Sequence, residues 1–461
     1  MSQTTRRSFL TRAGAAFAGT SAAAGALKVR LGFAGGPPEA LREAAEKAGV
    51  SHPTQGMKRE KIKITDIKVT PLSYVDPNRN LWRADRYIVW KTDAALCQVF
   101  TDQGIVGIAE GTPYAGPQVL KKYTEEVIKP VLVGMNPFDV DFIACASDLT
   151  PAVGVPIPDR SASGAWAGVN NACWDIMGKA LNTPVYKLLA SDNQPDPHLR
   201  VYASGGVSHE WYNNGEKALI EEALKHKERG YTAFKFRSGT DWRYTHMTLP
   251  QYLPIIRRLR EAVGPDMQLM HETLRAQPVT LAEVVNEFCP LLDDLNFHWF
   301  EQPLNTIEEY IAVKKAMQIC QVSGGESDRT RFEIKTWIEN NAMDIVQNDC
   351  NVTGLSENWF IARMAHVRGK LHCPHNWHGG LTTIANAHLV ASSPSRHMLE
   401  LNQTYNPLKE EIFKDPLVVK NGYMDLPDRP GFGVELIDNV EKKFPYAPGS
   451  YNRPNPLMEN L

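Results

Sequence analysis

From about residue 198 onward the chain repeats one rhythm, a short apolar strand followed by a helical stretch, at intervals of roughly 25 to 35 residues. The strand segments are RVYASGG (200–206), TAFKFR (232–237), QLMHE (268–272), FHWFE (297–301), VSGGE (322–326), DIVQND (344–349), KLHCPH (370–375) and HMLEL (397–401). Eight strands separated by helices predict an α/β fold, a (β/α)8-type barrel. A doubly wound open sheet is the alternative, but no GxGxxG follows the first strand.

The polar residues fall in a telling place. Each strand after the first ends in titratable groups: Lys235 and Arg237, Glu272, Glu301, Glu326, Asp349, His375 and Glu400. In a parallel barrel these ends meet at one face, where barrel enzymes carry their sites. A single strand-end acid is ordinarily a helix cap or a solvated group. Seven successive strands ending this way are poorly explained by capping alone.

Glu301 follows a run of bulky residues, and an isolated carboxylate in such a setting tends to neutralise unless it has a partner. Glu272, Glu301 and Glu326 come from consecutive strands, so their carboxylates are expected to surround one point. Three hard oxygen donors without cysteine suit Mg²⁺, or Mn²⁺, rather than structural zinc. On one flank stand Lys235 and Arg237; on the other, Asp349 and His375. An aspartate bonded to a ring nitrogen fixes the histidine tautomer and strengthens it as a proton acceptor, which makes His375 the expected general base. His372 and His378, close by in HCPHNWHGG, are expected to have minor roles. A metal beside a base suits one chemistry: removal of a proton α to a carboxylate, with the ene-diolate stabilised as charge develops.

Ahead of the barrel, KITDIKVTPLSYV and RYIVWKTDAALCQVFTDQGIVGIAE predict an antiparallel sheet with a turn at TDQG. Helical periodicity follows in VLKKYTEEVIKPVLV and WAGVNNACWDIMGKALNTPVYKLLA. The expected organisation is an α+β capping domain over 61–192, the barrel over 198–412 and a C-terminal segment over 413–461. Residues 1–26 carry Arg6-Arg7, Phe9-Leu10 and an Ala/Gly run ending Ala24-Gly25-Ala26. This resembles a twin-arginine export signal with cleavage after Ala26, which implies an exported, periplasmic enzyme. Residues 27–60 read as a linker with one short helix. No segment approaches the roughly 20 apolar residues of a membrane span.

Composition excludes further classes. With 50 Lys+Arg against 52 Asp+Glu there is no basic field for nucleic acid or an anionic membrane, which favours a small-molecule partner. Seven scattered cysteines without a CxxC pair argue against a disulfide framework or a thiolate zinc site.

Taken together, TDQGIVGIAEG, NNACWDIMGKALNTPVYKLL, LMHE, WFEQP, GGE, VQNDCNVTGLSENWFIARMAHVRG, LHCPH and PDRPGFGVEL occur in the order that resembles the enolase superfamily of the mandelate racemase and muconate lactonizing type. The resemblance covers about residues 61 to 440. It implies a cap, built from the N-terminal unit and the C-terminal tail, that closes over the barrel and selects the substrate. Arg79, Trp82, Arg83, Arg86, Tyr114 and Arg160 fall where that lid would lie. It also implies that Glu400 and Lys235 act on the substrate carboxylate or the developing ene-diolate, and that the enzyme is a homo-oligomer.

Three departures stand out. The family's first metal ligand is an aspartate in D-x-N, and here the segment is Glu272-Thr273-Leu274. The K-x-K of two-base members is Lys235-Phe236-Arg237, and arginine does not readily accept a proton. Export is unusual for sugar-acid catabolism. A single base suits β-elimination of water, so dehydration of a sugar acid to a 2-keto-3-deoxy acid is the expected reaction. A racemase or epimerase using Lys235 as second base is the alternative within the family. A Schiff-base aldolase and a non-catalytic periplasmic binding protein on the same fold are the alternatives outside it.

Overall fold

The computed structural model of the chain describes residues 52–76, 82–83, 87–114, 116–139, 159–190, 194–207 and 214–454. The leader with its cleavage site, Arg79, Arg86 and Cys145 lie outside the described residues. No helix among those described is long and apolar enough to cross a membrane.

The cap strands are β1 (Ile64–Val75), β2 (Trp82–Arg83), β3 (Tyr87–Val89), β4 (Lys91–Thr101) and β5 (Val106–Gly111). β1, β4 and β5 form an antiparallel sheet in that order, with the TDQG turn between β4 and β5. Strand β1 of this sheet lies against the helix Pro117–Tyr123, and β4 and β5 pack on the helix Arg160–Ala180. Asp159 caps that helix by accepting from the Ser161 and Ala162 amides. The packing is close enough to exclude side chains on β5. A Cβ on Gly107 would sit 2.1 Å from the Ala172 carbonyl oxygen, and one on Gly111 equally close to that of Gly164.

The barrel strands are β6 (His198–Ser204), β7 (Ala233–Arg237), β8 (Gln268–Glu272), β9 (Trp299–Glu301), β10 (Gln321–Gly324), β11 (Ile345–Val346), β12 (Leu371–His372) and β13 (Leu399–Asn402). β6 to β12 pair in sequence order, all parallel, and β13 returns beside β6. A parallel bridge between His372 and Arg396, just before β13, closes the ring. All eight expected strands are present, and the open sheet is excluded. Tyr202, Ala233, Met270, Trp299, Ile345, Cys373 and Met398 fill the barrel interior. The interior is therefore a packed core, with the layer of charged groups at the C-terminal end.

Three further strands follow: β14 (Val419–Lys420), β15 (Tyr423–Asp425) and β16 (Asn452–Pro454). β15 pairs antiparallel with β6, whereas β16 pairs with β3, bringing Tyr451 to the cap side of the barrel mouth. The six described cysteines are all buried.

The helix Arg160–Ala180 also faces the barrel. Its Asn171 amide donates to the Cys350 carbonyl (2.9 Å) and its carbonyl oxygen accepts from the Leu355 amide (2.8 Å), while Ser163 donates to the Val352 carbonyl. These bonds seat the turn that begins at Asp349.

Candidate active site

Strand register sets the level of each group. Arg237 on β7 stands opposite Glu272 on β8, and Glu272 opposite Glu301 on β9. Alternation along β7 places Ala233, Lys235 and Arg237 on one face. The residues after two of the glutamates, Thr273 (φ 50°) and Gln302 (φ 44°), adopt left-handed backbone. For a β-branched threonine this conformation costs on the order of 1 kcal/mol or more, and such strain collects at functional sites.

Lys235 is the hub of the polar layer. Its Nζ lies 2.8 Å from Glu301 Oε1, 2.9 Å from Glu400 Oε1 and 3.4 Å from Glu272 Oε2. Burial opposes the ammonium, but Glu301, Glu400 and Glu272 outweigh it and hold the group protonated, well above its ordinary range. Arg237 grips Glu272 through two nitrogens, at 3.0 and 2.8 Å, and its guanidinium lies 5.3 Å from the Trp377 ring centre. Glu301 also accepts from Gln347 (2.6 Å) and Trp299 (3.2 Å). Glu400 accepts from the Asn376 amide at 2.7 Å. Burial and then the Lys235 and His375 charges act on Glu400 in opposite senses; the charges win, and it falls to about 2.

On the other flank, His375 Nδ1 lies 2.9 Å from Asp349 Oδ2, and its Nε2 lies 3.6 Å from Glu326 Oε2. Asp349 is fixed in turn by the Asn351 amide (2.8 Å) and Asn386 Nδ2 (2.9 Å) on its other oxygen. Burial opposes protonation of His375, and Glu326 with Asp349 overcomes it, raising the imidazole to about 9. The reciprocal effect on Glu326 also works against burial: His375, Arg275, Arg160 and Lys235 bring it down to about 2.

Above this floor lies a cavity of about 390 Å³, lined among others by Arg237, Glu272, Glu326 and His375 from the barrel and by Trp82, Tyr114 and Arg160 from the cap side. Lys235, Glu301, Asp349 and Glu400 lie behind that lining. Arg83 is not part of it. Successive strand residues point to opposite faces, so with Trp82 directed inward Arg83 is directed away. His378 also sits outside, 6.2 Å from the His375 ring and 4.7 Å from that of Tyr114, and burial drops it to about 3, so it stays neutral. His372 is buried in β12 and likewise neutral, pushed down to about 3.

At the barrel mouth Glu272, Glu301 and Glu326 each face a cation, Arg237, Lys235 and His375 respectively. Among the described residues no three acid, imidazole or thiol groups stand in metal-holding geometry. In kind and in charge, however, the donors fit a hard dication. Five carboxylates, Glu272, Glu301, Glu326, Asp349 and Glu400, are gathered here, and among the described residues their ion pairs are to Lys235, Arg237 and His375, with Arg275 and Arg160 acting on Glu326 from farther off. Burial first, and then the charges of Glu272, Glu400 and Glu326, overcome Lys235 and lift Glu301 to about 7. Glu326 Oε2 is buried without a hydrogen bond.

Several site residues escaped the sequence reading. Gln347 sits two residues before Asp349, so strand alternation would have found it. Trp377, Arg275 and Tyr451 line the cavity from loops that carry no periodic signal, and Tyr87 from the first position of the short strand β3.

Comparison with known proteins agrees with this architecture. Residues 75–190 match the mandelate racemase / muconate lactonizing enzyme N-terminal domain, and residues 218–440 match the enolase C-terminal domain-like family. The chain is 28% identical to an arabinonate dehydratase of Saccharolobus solfataricus, over 83% of this chain and 99% of that protein. It is 29% identical to a D-galactarolactone cycloisomerase of Agrobacterium fabrum, over 61% and 73% respectively. A crystal structure of an enolase superfamily member from Polaromonas sp. JS666 superposes with a TM-score of 0.71 at 27% identity, covering 84% of this chain and 99% of that one. With its two matched domains, closed parallel barrel and acidic barrel mouth, the chain is an enzyme of the enolase superfamily, of the mandelate racemase and muconate lactonizing type.

Proposed function

We propose that this enzyme dehydrates a sugar acid to a 2-keto-3-deoxy acid, with His375 as the single proton-transfer group. The observation that carries the reading is the asymmetry of the two flanks. His375 is oriented by Asp349 on one side, and on the other stands Arg237, a permanent cation clamped to Glu272. Several relatives carry the names of sugar-acid dehydratases, which supports the same class.

In this reading His375 Nε2, the nitrogen not engaged by Asp349, removes the proton at C2 of the substrate. The electron pair passes into the carboxylate as an ene-diolate, beside the protonated Lys235. The imidazolium then returns its proton to the 3-hydroxyl, which leaves as water, and the resulting enol tautomerises to the ketone. Glu272, Glu301 and Glu326 would hold Mg²⁺, the metal that enolase superfamily members generally use. Bound there, the ion supplies electrostatic stabilisation of the charge developing on the substrate carboxylate. Because Glu326 is the strongest influence raising His375, engaging its carboxylate elsewhere lowers the imidazole toward the neutral form a base requires. The twin-arginine segment supports an exported enzyme.

Epimerisation and imine formation both require an unprotonated Lys235, and its three carboxylate neighbours speak against that state. Incubation with aldonic and aldaric acids in D₂O is the test. Ketone formation is expected. Deuteration at C2 without loss of water would favour epimerisation, and ligand binding without either outcome under any divalent metal would favour a binding protein.

A further inference from the structure

The cavity is not uniform in charge from floor to mouth. Its floor, with Glu272 and His375, is buried, whereas Arg275 at its edge is exposed and Arg160 half-buried. Arg237 is matched by Glu272, and the nearest cation to Glu326 is His375. Arg160 and Arg275 have no carboxylate within ion-pairing distance among the described residues. Arg160 lies 4.7 Å from the Tyr114 ring centre, reaches the Ser327 hydroxyl only at 3.5 Å, and keeps a buried Nε with no hydrogen bond. The two arise from different parts of the chain, the first turn of the helix Arg160–Ala180 and the loop three residues beyond Glu272, yet face one cavity. Surface arginines usually satisfy their planar fork with carboxylate, backbone or water. A guanidinium that lines a ligand-sized cavity with no carboxylate partner marks a place where an oxyanion would be matched.

We infer that the substrate carries a second oxyanion, at the end remote from the reacting carbon, and that Arg160 and Arg275 hold it at the cavity mouth. This rests on the sugar-acid reading and narrows it from monoacids to aldaric acids or terminally phosphorylated aldonic acids. A neutral terminal CH₂OH in the same position would leave both guanidinium groups without an anion at ion-pairing distance.

The test uses the full-length mature enzyme and matched ligands that differ only at the far end: a hexonate, the corresponding hexarate and the 6-phosphohexonate, across several stereoisomers. Binding by calorimetry and ketone formation are measured separately. The better of the two diacidic ligands is expected to bind about 10- to 100-fold more tightly than its hexonate, the range for a charge-assisted hydrogen bond. In Arg160→Gln and in Arg275→Gln that ratio should fall toward unity, with Arg160→Lys retaining part of it. Which ligand wins identifies the oxyanion as carboxylate or phosphate. Hexonates binding as well as their partners, or variants that weaken both members of a pair equally, would overturn the inference. Loss of the preference in moderate salt, with the low-salt preference carried by on-rates alone, would also overturn it, leaving only long-range steering. Turnover confined to hexonates would leave the dehydratase reading intact and sink the second oxyanion. Tight, arginine-dependent hexarate binding without ketone would do the reverse.

Discussion

His375 Nδ1 and Asp349 Oδ2 lie 2.9 Å apart, and the second Asp349 oxygen is held by the Asn351 amide and Asn386. The imidazole is thus oriented by a carboxylate that is itself immobilised, leaving Nε2 for proton transfer. Replacing His375 by Asn is expected to lower kcat by about 10² to 10⁴ while ligand affinity is largely retained. Asp349→Asn should lower kcat less. Rates within a few-fold of wild type for His375→Asn would remove the histidine from the mechanism.

The same imidazole should titrate abnormally in metal-free protein. Its resonance is expected to move near pH 9, and Glu326→Gln should bring it down, since the Glu326 charge is the strongest raising influence. The linkage has a definite sign: a histidine raised from 6.5 to about 9 contributes stability that is complete below 6.5 and lost as pH rises through 9. NMR titration of chelator-treated protein decides this, and an unchanged midpoint in Glu326→Gln would contradict it.

Metal uptake tests the acidic floor directly. Calorimetry is expected to show Mg²⁺ binding to the wild type, weakened at least about tenfold by Glu301→Gln or Glu326→Gln. Full-strength uptake by both variants would place the metal elsewhere.

Glu110 of the cap predicts a pH effect away from the reaction. Its carboxylate accepts from the Thr382 amide and hydroxyl, yet burial lifts it to about 7 despite those bonds. Raised from 4.5, it binds its proton more tightly folded than unfolded, so it lowers stability progressively from pH 4.5 to about 7. The cost above that range is on the order of 3 kcal/mol. Glu110→Gln should therefore match the wild type near pH 5 and exceed it near pH 8 in denaturant unfolding. Parallel pH profiles would count against this account.

Gly107 offers a packing test. An added methyl would meet the Ala172 carbonyl at 2.1 Å, so Gly107→Ala should destabilise the cap by about 1–3 kcal/mol. A melting temperature equal to wild type would show that the sheet and helix can part without cost.

The sequence by itself determined the barrel and the roster of its polar groups. Strand identity is a local property written in apolar runs, and parallel pairing brings Lys235, Glu272, Glu301, Glu326, Asp349, His375 and Glu400 to one face whatever the loops do. Only the tertiary structure decided which charges meet. Lys235 and Glu301 are 66 residues apart in sequence, and their 2.8 Å contact, like the grip of Arg237 on Glu272, depends on strand register and side-chain reach. The turning away of Arg83, the entry of Tyr451 from the C-terminal strand and the absence, among the described residues, of a carboxylate at ion-pairing distance from Arg160 were likewise invisible. They arise where segments distant in sequence close over the barrel mouth, and no periodicity in any one segment encodes such an encounter.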